Sequence, residues 1–295
     1  MTSAPHPEAS GGEGAAAGGG FSSVEEVEAA LASQSYLADR GLALAVFLAT
    51  TLDQPLLLEG EAGVGKTEVA RALAAARGAR LIRLQCHEGI DLHHALYDWD
   101  YPRQLLALRA AEAGSAGEGE LFSRRFLLRR PLLDALEATD EVVLLIDEID
   151  RADDEFEAFL LEFLADFAVT IPELGTVRAS RPPTVVLTSN RTRELHDALK
   201  RRCLYHWIDY PSPDRERAIV AARAPGVGEA IARRVCAAVA RLRQEELYKA
   251  PGVGETIVWA RALMAVEDLD ATLGAVLKVR EDIARVREKG ILEGV

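Results

Sequence analysis

Residues 55–78 read PLLLEGEAGVGKTEVARALAAARG, and the order of residue types in them decides the fold. Leu56, Leu57 and Leu58 belong to a short apolar run that stops at Gly60. After the glycines, KTEVARALAAAR carries apolar residues at helical spacing and closes on Gly78, a residue suited to a helix end. The stretch is therefore expected to be a strand, a glycine loop and a helix. Gly60, Glu61, Ala62, Gly63, Val64, Gly65, Lys66 and Thr67 fit the pattern G-x-x-x-x-G-K-[ST], in the strand-to-helix setting that gives the pattern its meaning.

Glycines are needed in such a loop because the backbone must wrap closely around a phosphate and aim several N–H groups at it from a helix N-terminus. The pattern assigns Lys66 to the β- and γ-phosphates of ATP and the Thr67 hydroxyl to Mg2+. A chance glycine turn is the alternative, and the strand and helix on either side weigh against it.

A second stretch supplies acids. VVLLIDEIDRAD, residues 142–153, places Asp147 and Glu148 directly after five apolar residues. An acid at a strand's carboxyl end beside a phosphate loop holds the magnesium shell, and a second acid polarises the attacking water. Consecutive acids also cap helices, a reading that suits Asp153 and Asp154, because an acidic helix start follows. Thr188-Ser189-Asn190 ends another apolar run. Asn190 is then placed to orient a water near the γ-phosphate, although loop asparagines also make local turns.

Further apolar runs at Arg80–Gln85, Glu141–Ile146, Thr184–Thr188 and Leu204–Tyr210 show no alternation, as expected of parallel strands buried on both faces. The expected fold is α/β: a five-stranded, doubly wound domain over residues 22–211, followed by an all-helical domain over 212–295. An insert at 89–131 combines an amphipathic helix, a Gly114–Gly119 loop and an arginine-rich piece. A hairpin at 168–179 turns at Glu173-Leu174-Gly175. Four helices are expected after Pro213, split near Pro225, Pro251 and Asp268.

Composition narrows the function classes. The chain has 295 residues and a net charge of −13, a balance that disfavours a broad nucleic-acid surface. Residues 1–21 are rich in Gly, Ala, Pro and Glu, which describes a flexible tail better than a signal peptide. The longest apolar stretch, Gly41–Thr50, is too short to span a membrane, and a cytoplasmic protein with at most peripheral membrane association is expected. Cys86, Cys203 and Cys236 carry no disulfide or zinc spacing. Cys86, His87, His93 and His94 invite a soft-metal reading, but ordinary helix and loop residues fit them better. Arg124, Arg125, Arg129 and Arg130 read as a nucleic-acid patch, an inter-subunit surface or a solvated face, and the acidity favours the last two. Trp99, Trp207 and Trp259 read as packing residues.

Phosphate loop, apolar run ending Asp-Glu, strand ending Thr-Ser-Asn and helix ending Arg-Arg together resemble an AAA+ ATPase. The hairpin before the Asn190 strand and the helical C-terminal part are similar to the MoxR branch. Within it, RLQCHEGIDLHHALYDWDYPRQLLALR and RRCLYHWIDYPSPDRE resemble ATPases encoded with carbon monoxide dehydrogenase, which assist maturation of its molybdenum-copper site. The resemblance implies that Arg202, with Arg201 the runner-up, is an arginine finger entering a neighbouring subunit's site. It also implies a homo-oligomeric, hexameric ring, a client apo-enzyme and a partner with a von Willebrand factor A domain. One departure is visible: the relatives' lid arginine in a Gly-x-Ser-Pro-Arg setting is replaced here by Gly252-Val253-Gly254-Glu255-Thr256, and Arg261 comes five residues later. A DNA-handling ATPase shares every nucleotide motif and is the rival reading. A small-molecule kinase is expected to lack the Asp147, Glu148 and Asn190 array.

Overall fold

The computed structural model describes residues 20–112 and 121–294, so the Gly114–Gly119 loop and nearly all of the expected tail lie outside the described residues. The strands are β1 Leu56–Gly60, β2 Arg80–Gln85, β3 Tyr97–Trp99, β4 Leu127–Arg129, β5 Val142–Asp147, β6 Ala168–Ile171, β7 Gly175–Arg178, β8 Thr184–Ser189 and β9 Leu204–Ile208. Five of them form one sheet in the order β2-β5-β8-β1-β9, and every neighbouring pair is parallel. The register sets Leu58 beside Thr188 and Gln85 beside Asp147, so the carboxyl ends of β1, β2, β5 and β8 reach one edge together.

Side chains alternate across this sheet. Leu56, Leu58, Val143, Leu145 and Val186 face the helices Val24–Ser33, Arg40–Thr51 and Lys66–Arg77, while Leu57, Leu144, Ile146, Val185 and Leu187 face the helices Pro131–Leu136 and Asp154–Asp166. Each fully buried leucine or valine here contributes about 1.5–3 kcal/mol of transfer free energy. The expectation that all five strands are buried on both faces holds for β1, β5 and β8. It fails for the two edge strands, which are covered on fewer sides: β2 has Arg80 and Arg83 exposed, and in β9 Tyr205 is exposed and only Ile208 is buried.

The hairpin is β6 paired antiparallel with β7, turning at residues 172–174. The insert contains a pairing that the sequence did not announce: β3 and β4, three residues each, form an antiparallel ribbon on either side of the helix Tyr101–Glu112. That helix reverses the usual amphipathic arrangement. Gln104 is buried and donates to the Leu121 carbonyl, whereas Tyr101, Leu105, Leu106 and Leu108 are exposed.

Beyond β9 the described chain is helical, with a core of its own around Trp259, Val235, Cys236, Val239 and Leu273. Trp259 is fully buried and its indole N–H donates to Thr272 Oγ1 at 2.8 Å. Five helical segments stand where four were expected: Pro213–Arg223, Glu229–Leu242, Val253–Ala265, the single turn Leu273–Val276, and Arg280–Glu288. The extra turn follows Asp268, whose carboxylate accepts N–H groups from Asp270 and Ala271 and so starts a new winding. The helix that ends in Arg201-Arg202 begins at Asp197, and upstream of it the Thr192 N–H and hydroxyl are held by Asp150 instead of entering a helix. No helix among the described residues is long and apolar enough to cross a membrane.

Candidate active site

Gly65, with φ +100°, turns the chain from the loop into the helix Lys66–Arg77, and Gly63 (φ +82°) and Gly60 (φ +155°) supply the other bends. The loop forms one wall of a cavity of about 710 Å³, which is also lined by Asp147, Glu148, Thr188, Asn190, Tyr36 and Trp207. Lys66 is buried and donates to the carbonyls of Gly60 and Glu61, both at 2.8 Å. Burial pulls its pKa below the ordinary lysine value, against the opposing field of Asp150, Glu61, Asp147 and Glu148.

Asp147 is the hub. Its Oδ1 accepts the Thr67 hydroxyl at 2.9 Å and the Thr188 hydroxyl at 2.5 Å, which ties the phosphate-loop helix, β5 and β8 at one point. Thr188 in turn accepts the Glu148 N–H at 2.9 Å. That bond fastens Glu148 in a left-handed conformation, φ +56°, which is uncommon for a residue with a Cβ. Glu148 is half-buried, and its Oε2 lies 3.5 Å from Arg151.

Asn190 lies at the end of β8 on the same cavity. Its turn is gripped on both sides. The hydroxyl of Ser189 donates to the buried Glu59 carboxylate at 3.2 Å and accepts the Arg191 N–H at 3.1 Å. Asp150, also buried, accepts the Thr192 N–H at 2.8 Å and its hydroxyl at 2.7 Å. Arg191 is a second left-handed residue, φ +56°, and its guanidinium stands over the Trp207 ring.

Arg202 is exposed, and it lines a separate groove of about 770 Å³ together with Phe159, Phe163, Val169 and Arg178. It does not line its own chain's phosphate-loop cavity. No arginine of the helix Val253–Ala265 lines the cavity: Arg261, on that helix, donates to the Arg223 carbonyl. The arginines that do reach the cavity come from the helix Pro213–Arg223: Arg215 donates to the Leu37 carbonyl at 2.7 Å, and Arg223 pairs with Glu68 at 2.6 Å. The Val253 N–H donates to the Gly63 carbonyl at 2.9 Å, a direct backbone link from that domain to the phosphate loop.

The sequence did not single out Arg83, Arg215, Arg223, Glu59 or Tyr36. Of these only Glu59 had a visible signal, a charged residue inside an otherwise apolar strand. Trp207, read as packing, lines the cavity. Cys86 is buried and its thiol is pushed up to about 12 by desolvation first and by the charge of Asp147 second. The His87 and His94 rings meet edge to face at 6.2 Å, His94 is bound to Asp91, and no group of three or more potential metal-holding side chains occurs among the described residues.

A family described as AAA domain (dynein-related subfamily) matches residues 55–203, a little over half of the chain. Among solved structures, RuvB from Thermotoga maritima, described as a Holliday junction branch migration motor, is 19% identical with a TM-score of 0.43. That match covers 79% of this chain and 65% of that one. Two variants of the same protein are 18% and 19% identical, with TM-scores of 0.46 and 0.47; they cover 85% and 86% of this chain and 67% and 70% of theirs.

Proposed function

From the membership of this chain in the AAA domain (dynein-related subfamily) family, a family of ATPases, we propose the following division of labour in its site. The observation that carries it is the convergence of Thr67 and Thr188 on one oxygen of Asp147, which brings phosphate loop, acidic strand and Asn190 strand to a single point.

Lys66 leaves the Gly60 and Glu61 carbonyls to meet the β- and γ-phosphates, and the glycine-rich backbone supplies N–H donors around them. The Thr67 hydroxyl and the Asp147 carboxylate are hard oxygen donors and would hold Mg2+, which would supply positive charge to offset that of the phosphates. Glu148 accepts a hydrogen bond from the attacking water and takes its proton, while the Asn190 amide orients that water. Arg202, directed away from its own cavity, serves the cavity of the next subunit in a homo-oligomeric ring, which we take to be hexameric.

The larger task is to remodel a client protein. The unpartnered leucine face of Tyr101–Glu112 supports a protein partner, because an apolar patch of this kind is ordinarily covered. Nucleic acid is disfavoured by the net charge and by the state of the arginine-rich piece: Arg124 and Arg129 pair with Glu137, and Arg130 with Asp98. The resemblance in the insert and β9 regions supports a molybdenum-enzyme apo-form, carbon monoxide dehydrogenase or a relative, as the client, with a von Willebrand factor A-domain protein cooperating.

The site reading is tested by two substitutions. Lys66→Ala should abolish ATP binding, and Glu148→Gln should retain binding while losing turnover; near-normal turnover in Glu148→Gln sinks the assignment. The client reading is tested in a gene deletion, where the dehydrogenase should be assembled with its organic cofactor yet lack activity and a complete metal-sulfur centre. Full activity and full metal and sulfur content there would defeat the client reading and leave the ATPase assignment standing, whereas ATPase activity strongly stimulated by DNA would turn the reading toward a DNA-handling motor.

A further inference from the structure

Asp147 is 2% exposed, and both of its oxygens are occupied. Oδ1 takes the two threonine hydroxyls already described. Oδ2 takes Arg83, whose Nε lies at 3.0 Å and whose terminal nitrogen lies at 2.5 Å. Arg83 belongs to the edge strand β2, where Ile82 and Leu84 point into one core and Arg83 and Gln85 lie on the opposite face, toward the phosphate-loop helix. Gln85 also binds the Arg83 guanidinium and steadies it. The register places Gln85 beside Asp147 and Arg83 beside Leu145, so the arginine reaches forward along the strand to meet the carboxylate.

The charge balance gives this pair a purpose. Asp147, Glu148, Glu61 and Asp150 all act on Lys66, yet the Lys66 amine is turned onto two backbone carbonyls. The cation that faces Asp147 is Arg83. A guanidinium bound through two nitrogens to one buried carboxylate oxygen is a strong, charge-assisted contact.

We propose that Arg83 is the resident counter-cation of Asp147, a positioning residue that a divalent metal arriving with nucleotide must displace, and that it sets how steeply nucleotide binding depends on that metal. The proposal rests on reading Asp147 as the metal-facing carboxylate. With Arg83 present, a triphosphate without metal meets a neutralised carboxylate. With Arg83 removed, the same triphosphate meets a bare buried anion, and the metal meets no competitor.

The experiment is equilibrium binding of a fluorescent ATP analogue to the intact protein, once with excess EDTA and once with Mg2+, read as the ratio of the two dissociation constants. Arg83→Gln should raise that ratio about tenfold, mainly by weakening binding in EDTA, as the loss of one charge-assisted partner implies. Arg83→Lys, which keeps the charge and loses the fork, should fall between the variant and wild type. It also serves if Arg83→Gln does not fold. In an Asp147→Asn background, Arg83→Gln should leave the ratio unchanged. A ratio within twofold of wild type in folded Arg83→Gln, or an equal rise in the Asp147→Asn background, overturns the proposal. A ratio unaffected by Asp147→Asn itself overturns instead the underlying assignment of Asp147 to the metal.

Discussion

Gly63 and Gly252 meet backbone to backbone. A Cβ on Gly252 would lie 2.6 Å from the Gly63 Cα and 2.8 Å from its carbonyl oxygen, and a Cβ on Gly63 would lie 2.8 Å from the Gly252 Cα. The helical domain thus rests directly on the phosphate loop, through the Val253 N–H and the Gly63 carbonyl as well as the two glycines. Gly252→Ala should lower ATP affinity about tenfold, because the new methyl meets backbone and the helix start must withdraw. Its own φ of −83° suits alanine, so the effect is steric alone. Gly274→Ala, on the helical turn Leu273–Val276 of the same domain with nothing within 4 Å and away from the cavity, is the control and should be neutral or slightly stabilising. Equal nucleotide affinity in both variants would show that the contact carries no coupling.

Glu216 and Arg243 form the strongest tie inside the helical domain. Arg243 donates both terminal nitrogens to the fully buried Glu216, at 2.7 and 2.8 Å, and its Nε to the Pro251 carbonyl, while Thr256 donates to Glu216 at 2.6 Å. Removing one partner of a buried pair leaves an uncompensated charge and costs about 3–5 kcal/mol. Glu216→Ala should therefore melt the helical domain first, seen as a low-temperature calorimetric transition separate from that of the α/β domain. A single unshifted transition at the wild-type temperature would contradict this.

Arg202 should act between subunits. Arg202→Ala is expected to bind ATP normally and lose turnover by about 10³ or more. Mixed with Glu148→Gln, itself inactive, it should recover part of the activity, because some interfaces then join an intact Glu148 to an intact Arg202. No recovery on mixing, with assembly verified by light scattering, would place the arginine's role within its own chain.

The thiols offer a test that depends on pH. Burial pushes Cys86, Cys203 and Cys236 each up to about 12. At pH 8 a thiol so shifted is ionised to only ~10⁻⁴, against roughly a tenth to a quarter for an ordinary one. Because the shift is upward, reactivity should stay low through neutral pH and climb only in strong alkali. A disulfide reagent at pH 8 should label the native protein slowly and label all three thiols quickly in guanidinium. Rapid native labelling of one thiol would contradict its desolvation.

What was legible in the sequence followed local rules. Glycines forced by close backbone approach, apolar runs forced by two-sided burial, and acids forced to a strand's carboxyl end gave the five main strands to within two residues. They also brought Lys66, Thr67, Asp147, Glu148 and Asn190 to one cavity. What escaped depended on partners distant in sequence. The β3–β4 ribbon joins segments about 30 residues apart, and neither segment has a periodic signature at three residues. Arg83 and Arg223 are ordinary arginines on a strand and at a helix end until folding sets them against Asp147 and Glu68. The residues β2 exposes reflect its place at the sheet edge, which strand order decides and strand sequence does not.

The two buried carboxylates that flank Asn190 have a mechanical consequence. Glu59 leads into the phosphate loop and holds Ser189, with Tyr205 of β9 donating to its other oxygen at 3.1 Å; Asp150 leaves the acidic strand and holds Thr192. The turn that carries Asn190 is thus fixed through its neighbours to the phosphate-loop strand and to the acidic strand, and none of the three can slide along the sheet without breaking a buried polar contact. The strand ends behave as one casting. The places left free to yield when a phosphate departs are those around the sheet, the Gly63–Gly252 seam and residues 209–212 between β9 and the helix Pro213–Arg223.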